Sequence, residues 1–105
     1  MLTFIASPFR GERERNLAYA RRALLDSIRR GETPVVPHLL YPQVLDDDDP
    51  AQREQGIAIA NTLLRQCSIF AAYYDYGVSP GMKAEYNLAL AGDLMIEFRN
   101  IGQNQ

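Results

Sequence analysis

The sequence has a single cysteine and no long apolar run, and both absences restrict the class of protein. Cys67 has no second cysteine with which to pair, which excludes a secreted scaffold held together by intrachain disulfides. No apolar stretch approaches the roughly 20 residues that a membrane-spanning helix needs. Residues 1–6 lack the basic segment of a secretory signal and run directly into Ser7 and Pro8. The sequence therefore predicts a cytoplasmic protein without a membrane segment.

An excess of positive charge is also absent, which argues against nucleic-acid binding. The chain has 11 basic and 13 acidic residues and a formal net charge of -2, whereas nucleic-acid binders of the basic-patch kind present a clear positive excess. Residues 1–30 contain seven arginines, while the remainder is mainly acidic. We interpret the arginines as a solvated helix face, with pairing to acidic residues of a neighbouring subunit as the alternative.

Internal repeats and linkers are missing, and 105 residues suit one compact domain. A chain of this length buries about two-thirds of the surface that it exposes when unfolded, so it needs no metal or disulfide to form a core. We expect one domain over residues 1–98, followed by a polar tail without regular structure over residues 99–105.

Short apolar runs alternate with amphipathic segments along the chain, which predicts an α/β fold. Asp49 and Ser79 each precede a proline, which is typical of a helix start. The fold class that follows is a flavodoxin/Rossmann-like three-layer sandwich with a four-stranded parallel sheet, in the order 2-1-3-4. The expected strands are residues 2–6, 34–37, 68–73 and 94–98, and the expected helices are residues 12–30, 51–66 and 80–91.

Two loops follow the strands between which the sheet order reverses, and ligands of such folds bind at that point. The first loop contains Ser7, Arg10 and Gly11, of which the guanidinium can clamp a phosphate. The second contains Ser79 and Gly81 at the start of a helix, where free N–H groups favour an anion. The alternative is that Arg10 is only solvated and that Ser79 is only a helix cap.

Glu85 is the candidate catalytic residue, because the helical spacing places it near the inward side marked by Met82 and Ala89. A carboxylate beside a bound sugar can act as a nucleophile or as a general acid. A solvent-facing glutamate is the alternative.

These residues together resemble a known family. Phe4 to Gly11 followed by an arginine-rich helix, Ser79 to Glu85 after an apolar strand, and the segment Pro37 to Pro42 resemble the nucleoside 2-deoxyribosyltransferase-like superfamily, most closely a short phage and bacterial branch. The resemblance covers residues 2–98. It implies cleavage of an N-glycosidic bond, or deoxyribosyl transfer, in which Glu85 attacks the anomeric carbon.

The resemblance further implies how a nucleoside 5′-monophosphate is held and how the pocket is completed. It places the phosphate at Ser7, Arg10, Gly11, Ser79 and Gly81, requires no cofactor, and suggests a homo-oligomer in which a neighbour's tail completes the pocket. Enzymes of the family usually carry an aspartate on the second helix, where this chain has only Asn61 as a polar residue. A non-catalytic nucleotide-binding module, such as a sensor or sponge, is therefore an alternative function.

The remaining candidates admit a structural as well as a functional interpretation. His38 either contacts the ligand or bonds to nearby backbone. Asp46 to Asp49 form either a metal site or a solvated loop with a helix cap. Cys67 is interpreted as a buried apolar residue rather than a nucleophile. A tyrosine cluster at residues 73, 74 and 76 either stacks on a base or forms a subunit interface, which leaves a protein-interaction subunit as a third function. We predict no metal site. The expected base or sugar contacts are Phe9, His38, Asn61, Tyr73 and Met82.

Overall fold

The structure, a computed structural model, describes residues 1–103 and contains four strands that alternate with three helices. Two short 3-10 helices, Pro37–Leu39 and Tyr41–Gln43, occupy the segment expected to be irregular. The predicted α/β class is confirmed. The strands are β1 (Leu2–Ala6), β2 (Thr33–Val35), β3 (Ile69–Tyr73) and β4 (Met95–Arg99), and the helices are α1 (Arg13–Arg29), α2 (Pro50–Arg65) and α3 (Pro80–Ala91).

All strand pairs are parallel, and the order in the sheet is β2-β1-β3-β4, as predicted. Phe4 lies opposite Val35 on one side and Phe70 on the other, which fixes the register of the first three strands. Every residue of β3 is buried, because this apolar strand is central and covered on both faces. The order reverses between β1 and β3, so a crevice opens beyond the carboxyl ends of these two strands.

The helices form a layer on each face of the sheet, and alternate residues of β3 serve the two layers. Phe70 and Ala72 belong to a buried cluster with Leu64 of α2 and Met82 of α3. Ala71 and Tyr73 belong to a second cluster with Tyr19 and Ala23 of α1. The result is the expected three-layer sandwich, in which α1 covers one face and α2 and α3 cover the other.

Two helices begin where the cap-and-proline signals predict. The carboxylate of Asp49 accepts a hydrogen bond from the Gln52 N–H at 3.3 Å, and Ser79 Oγ accepts one from the Met82 N–H at 3.2 Å. Each bond satisfies an N–H group that has no partner within the helix. None of the helices in residues 1–103 is long and apolar enough to cross a membrane.

Arg99 was expected to begin a polar tail without regular structure, and for this residue the expectation is wrong. It is the last residue of β4 and only 4% exposed. Its guanidinium donates to Glu32 Oε2 at 2.6 Å and to the Tyr73 hydroxyl at 2.9 Å, and lies 2.8 Å from Glu97 Oε1. The sequence alone could not reveal this arginine network (Arg99, Glu32, Glu97 and Tyr73), because its members come from three distant segments.

Residues 100–103, which follow β4, form no helix or strand, and they are held against the domain. The carboxylate of Asp75 accepts hydrogen bonds from the N–H groups of Ile101 and Gly102, each at 2.8 Å. Arg22 of α1 donates to the carbonyl oxygens of the same two residues. Residues 104 and 105 of the predicted tail lie outside the described residues.

Candidate functional site

A cavity of about 640 Å³ opens where the sheet order reverses. Its walls come from the loop after β1, the 3-10 segment, α2 and the first turns of α3. Both loops chosen from the sequence therefore face one crevice. Most of the predicted site residues line it, namely Ser7, Phe9, Arg10, His38, Asn61, Ser79, Gly81, Met82 and Glu85.

Two predicted site residues lie elsewhere. Tyr73 is fully buried on the α1 face of the sheet, where its hydroxyl donates to Asp26 Oδ2 at 2.7 Å. It cannot contact a base in the cavity, because its side chain points away from α2 and α3, so this prediction is wrong. Gly11 is not among the lining residues, and its φ of +93° shows that it serves the turn that follows β1.

The other two tyrosines of the cluster also lie outside the cavity. Tyr74 packs edge-on against Phe98 of β4, and Tyr76 packs edge-on against Tyr19 of α1. The stacking interpretation of the cluster therefore fails for all three rings. Cys67 is buried, and burial raises the pKa of its thiol, which agrees with the apolar rather than the nucleophilic interpretation.

Ser7 is a buried polar residue of the cavity wall. The residue is 1% exposed, and its Oγ atom has no hydrogen-bond partner within residues 1–103. A buried hydroxyl without a partner costs about 1–3 kcal/mol. Because Ser7 lines the cavity, a polar atom of a bound ligand would remove this cost.

His38 and Phe9 form an aromatic wall of the cavity. Their rings stack with centroids 4.9 Å apart, and His38 Nε2 lies 3.0 Å from the Ser7 carbonyl oxygen. Burial lowers the pKa of His38, so the ring is neutral at pH 7 and Nε2–H donates to Ser7. His38 therefore bonds to backbone, although 31 residues away in sequence, and it also lines the cavity, while its contact with a ligand stays a prediction.

Asn16 was missed by the sequence analysis, although it shapes the first loop. It is 1% exposed, and its Nδ2 donates to the carbonyl oxygens of Phe9 at 3.0 Å and Arg10 at 3.1 Å. Its position on the inward face of α1 is the signal that could have revealed it, because a buried amide needs a defined partner. Asn16 thereby fixes the loop that carries Ser7 toward the cavity.

Glu85 lies on the cavity side of α3 and is partly buried, not directed into solvent. Burial raises the pKa of its carboxyl to about 8, and no neighbouring cation offsets this desolvation. At neutral pH the carboxyl is therefore mostly protonated in the empty cavity, although an ionised fraction is available. A carboxyl with a strongly perturbed pKa in a cleft is typical of a catalytic group.

The start of α3 contributes backbone rather than free side chains. Ser79 Oγ is occupied as the helix cap, and Met82 is 2% exposed in the core below the cavity. A Cβ atom at Gly81 would lie 3.9 Å from Ser79 Oγ, so space alone does not require glycine there. The N–H groups and the positive end of the helix dipole remain as the anion-attracting elements.

Asn61 lies on the cavity side of α2, and no carboxylate of α2 lines the cavity. Asp47 and Glu85 are the acidic lining residues. The cavity therefore lacks an aspartate from α2, as the sequence already indicates by the presence of Asn61 as the polar residue there.

Asp47, which belongs to the acidic segment noted in the sequence, and Arg53, which the sequence analysis did not single out, also line the cavity. Asp47 lies between Arg10, whose Nε is 3.2 Å from Oδ2, and Arg53, whose Nε is 3.7 Å from Oδ1. The acidic loop (Asp46–Asp49) thus makes ion pairs and a helix cap. Within residues 1–103, no group of three or more His, Cys, Asp and Glu side chains is placed to hold a metal ion.

The fold and the cavity together define a class: a small three-layer α/β protein with a cavity at its topological switch point. A solved structure of a 2-deoxyribosyltransferase from Bacillus psychrosaccharolyticus is similar, with a TM-score of 0.70 and 16% sequence identity over 95% of this chain and 72% of that chain. At this identity the similarity shows the fold alone. A comparison with curated proteins finds no match.

The chain belongs to the family described as a domain of unknown function, DUF7768, whose model matches residues 1–99. The family description does not name an activity, so the function has to be argued from the cavity itself.

Proposed function

We propose that this protein cleaves the N-glycosidic bond of a nucleoside or nucleoside 5′-monophosphate, or transfers its deoxyribosyl group, with Glu85 as the nucleophile. The observation that carries the proposal is a desolvated carboxyl without a counter-cation, in the same cavity as a buried hydroxyl without a partner. The similarity in fold to a 2-deoxyribosyltransferase supports it.

The reaction takes place in two displacements on the sugar. The Glu85 carboxylate forms a bond to the anomeric carbon while the bond to the base nitrogen breaks, and the base leaves with the electron pair and takes up a proton from water. Water or a second base then displaces Glu85 from the anomeric carbon, so that Glu85 regains its carboxylate and the proton of the incoming group is released to the solvent. The apolar surroundings of Glu85 favour this step, because they leave the ionised carboxylate poorly solvated and reactive.

A 5′-phosphate would be held by the Ser7 hydroxyl and by the N–H groups at the start of α3. Arg10 lines the same cavity but is engaged by Asp47, and Gly11 contributes only the turn. Phe9 and His38 offer an aromatic surface on which a base can stack. A homo-oligomer in which a neighbour completes the site stays a prediction.

The test is incubation of the protein with a panel of nucleosides and 5′-monophosphates, followed by chromatography for free base. Release of base by the wild type that disappears in Glu85→Gln supports the proposal. Glu54→Gln, which changes an exposed glutamate of α2, is the matched control and should behave as the wild type. Equal release by wild type and Glu85→Gln would exclude Glu85 as the nucleophile.

The pH dependence of turnover should follow ionisation of Glu85. Since the pKa of this carboxyl is about 8 and the nucleophile is the ionised form, we expect kcat/KM to rise about tenfold per pH unit below 8 and to level off above it. Initial rates at low substrate concentration from pH 5.5 to 9.5 measure this profile. A profile that falls through pH 8 would instead assign Glu85 the role of a general acid.

A non-catalytic nucleotide-binding module is the second candidate. It is favoured by the largely protonated state of Glu85 at neutral pH and by the lack of a carboxylate of α2 in the cavity. This function predicts that a nucleotide binds equally to the wild type and to Glu85→Gln, with the nucleotide recovered intact from both.

A further inference from the structure

Three arginines from different parts of the chain converge on one carboxylate at the cavity. Arg10 comes from the loop after β1, Arg13 is the first residue of α1, and Arg53 lies in the first turns of α2. Their closest nitrogens lie 3.2, 3.4 and 3.7 Å from the carboxylate oxygens of Asp47. The carboxylate is only 20% exposed, so the three guanidinium groups surround it.

We propose that this arginine cluster (Arg10, Arg13 and Arg53) is a second anion subsite, which takes the terminal phosphate of a nucleotide with more than one phosphate group. The Asp47 carboxylate occupies the subsite in the absence of ligand. This inference rests on the proposed function in one respect, namely that the cavity takes a nucleoside.

The charge and the geometry of the cluster fit an anion larger than one carboxylate. Each guanidinium has five N–H donors in a planar fork, and forked donors match phosphate oxygens. Arg53 pairs with the protein only through the 3.7 Å contact to Asp47 in residues 1–103, so most of its donors remain available to a ligand. The three guanidinium groups pair with two carboxylates, those of Asp47 and of the mostly exposed Asp48.

The cluster is also within reach of the cavity floor. Arg10 and Arg53 line the cavity, and Arg10 follows Ser7 by three residues, so their Cα atoms are at most about 11 Å apart. The hydrogen bonds from Asn16 hold this loop in place. A phosphate chain whose first group contacts Ser7 and the start of α3 can therefore extend toward the cluster.

The Asp47 carboxylate occupies the position of a ligand phosphate, because no other residue of the acidic loop depends on its contacts. Asp49 caps α2, and Asp46 accepts a hydrogen bond from the Asp48 N–H at 2.9 Å, whereas within residues 1–103 the hydrogen bonds and ion pairs of the Asp47 carboxylate involve the three arginines alone. A terminal phosphate of higher charge can displace this carboxylate without disturbing the helix start. A ligand must therefore carry more negative charge than the Asp47 carboxylate in order to displace it.

The experiment is isothermal titration calorimetry of the full chain with two sets of probes. The first set is inorganic phosphate and pyrophosphate, and the second is the four common 2′-deoxynucleosides with their 5′-mono-, di- and triphosphates. We expect diphosphates to bind about tenfold more tightly than monophosphates, and this difference to vanish in Arg53→Gln. Arg65→Gln, at the exposed end of α2, is the matched control and should keep the difference.

The variant Asp47→Asn tests whether the Asp47 carboxylate competes with the ligand or instead orients the arginines that bind the ligand. If Asp47 competes with ligand, pyrophosphate should bind Asp47→Asn about tenfold more tightly than the wild type. Weaker binding to Asp47→Asn, or equal affinity of the wild type for mono- and diphosphates, would overturn the inference. Pyrophosphate binding that obeys these expectations, together with failure of every nucleoside to bind or react, would instead refute the proposed function and leave the subsite standing.

Discussion

Glu85→Gln is expected to abolish base release and, at the same time, to raise the melting temperature at pH 8. Activity should fall at least about a hundredfold, because an amide cannot serve as the nucleophile of the first displacement. Stability should rise, because the neutral amide has nearly the shape of the carboxyl but is free of the cost of ionisation in a desolvated site. Thermal unfolding and the chromatographic assay measure the two effects on the same samples.

The sign of the stability effect follows from the two pKa values. The unfolded carboxyl ionises near pH 4.3, whereas in the fold its pKa is about 8. Between these values the folded state binds the extra proton, so rising pH destabilises the wild type relative to Glu85→Gln. The gain should be small at pH 5, grow up to pH 8 and stay constant above it, reaching on the order of 5 kcal/mol, because the two pKa values differ by about 3.7 units at about 1.4 kcal/mol each. Parallel pH profiles for the two proteins would contradict this expectation, and Glu54→Gln serves as the control.

Arg99→Met is expected to cause the largest loss of stability. It removes the positive charge that Glu32, Glu97 and the Tyr73 hydroxyl share, and it leaves the largely buried Glu32 carboxylate without its ion-pair partner, whereas Glu97 retains Arg30 at 4.0 Å. Breaking such a pair costs about 3–5 kcal/mol, which for a domain of this size lowers the melting temperature by more than about 12 °C. Urea unfolding followed by circular dichroism measures the change. Arg65→Met, at an exposed position, should leave the midpoint within about 0.5 kcal/mol of the wild type.

Two further variants keep this prediction testable if Arg99→Met does not fold. Arg99→Lys retains the charge but loses the two-pronged pairing with Glu32, so its loss should be smaller. Glu32→Gln should remove part of the acid sensitivity, because the hydrogen bond from Arg99 lowers the pKa of Glu32 and that stabilisation is lost as the pH falls below about 4. Equal midpoints for wild type and Arg99→Lys would show that the fork geometry contributes nothing.

Much of the fold could be predicted because local signals and tertiary packing agree. Asp49 and Ser79 begin helices as their caps predict, and the continuous apolar run of β3 is central in the sheet. Arg99 was assigned to the tail because an arginine after a short strand has no local signal of burial. Its partner Glu32 is 67 residues away in sequence, and only the parallel order of the sheet brings the two together.

The candidate site was predictable where it follows the ends of strands and not where it depends on distant loops. Ser7 and Ser79 could be placed in one crevice because the carboxyl ends of β1 and β3 meet there. Tyr73 was misplaced because its side depends on the two-residue period of β3, which a fully apolar run conceals. Asp47 was interpreted as solvated because its contacts with arginines of other segments leave no trace in local sequence.

The alternation along β3 also has a consequence for how the protein can change over time. Phe70 and Ala72 support the cavity side, while Ala71 and Tyr73 support the arginine network on the opposite side. The sheet separates the two buried clusters, so a substitution in one cluster should change the packing of the other very little. The effects of paired substitutions, one in each cluster, on the free energy of unfolding should therefore be additive within about 0.5 kcal/mol. Substitutions in α2, α3 and the acidic loop can therefore change the ligand preference while the packing of α1 and the arginine network, which stabilise the opposite side, stays the same.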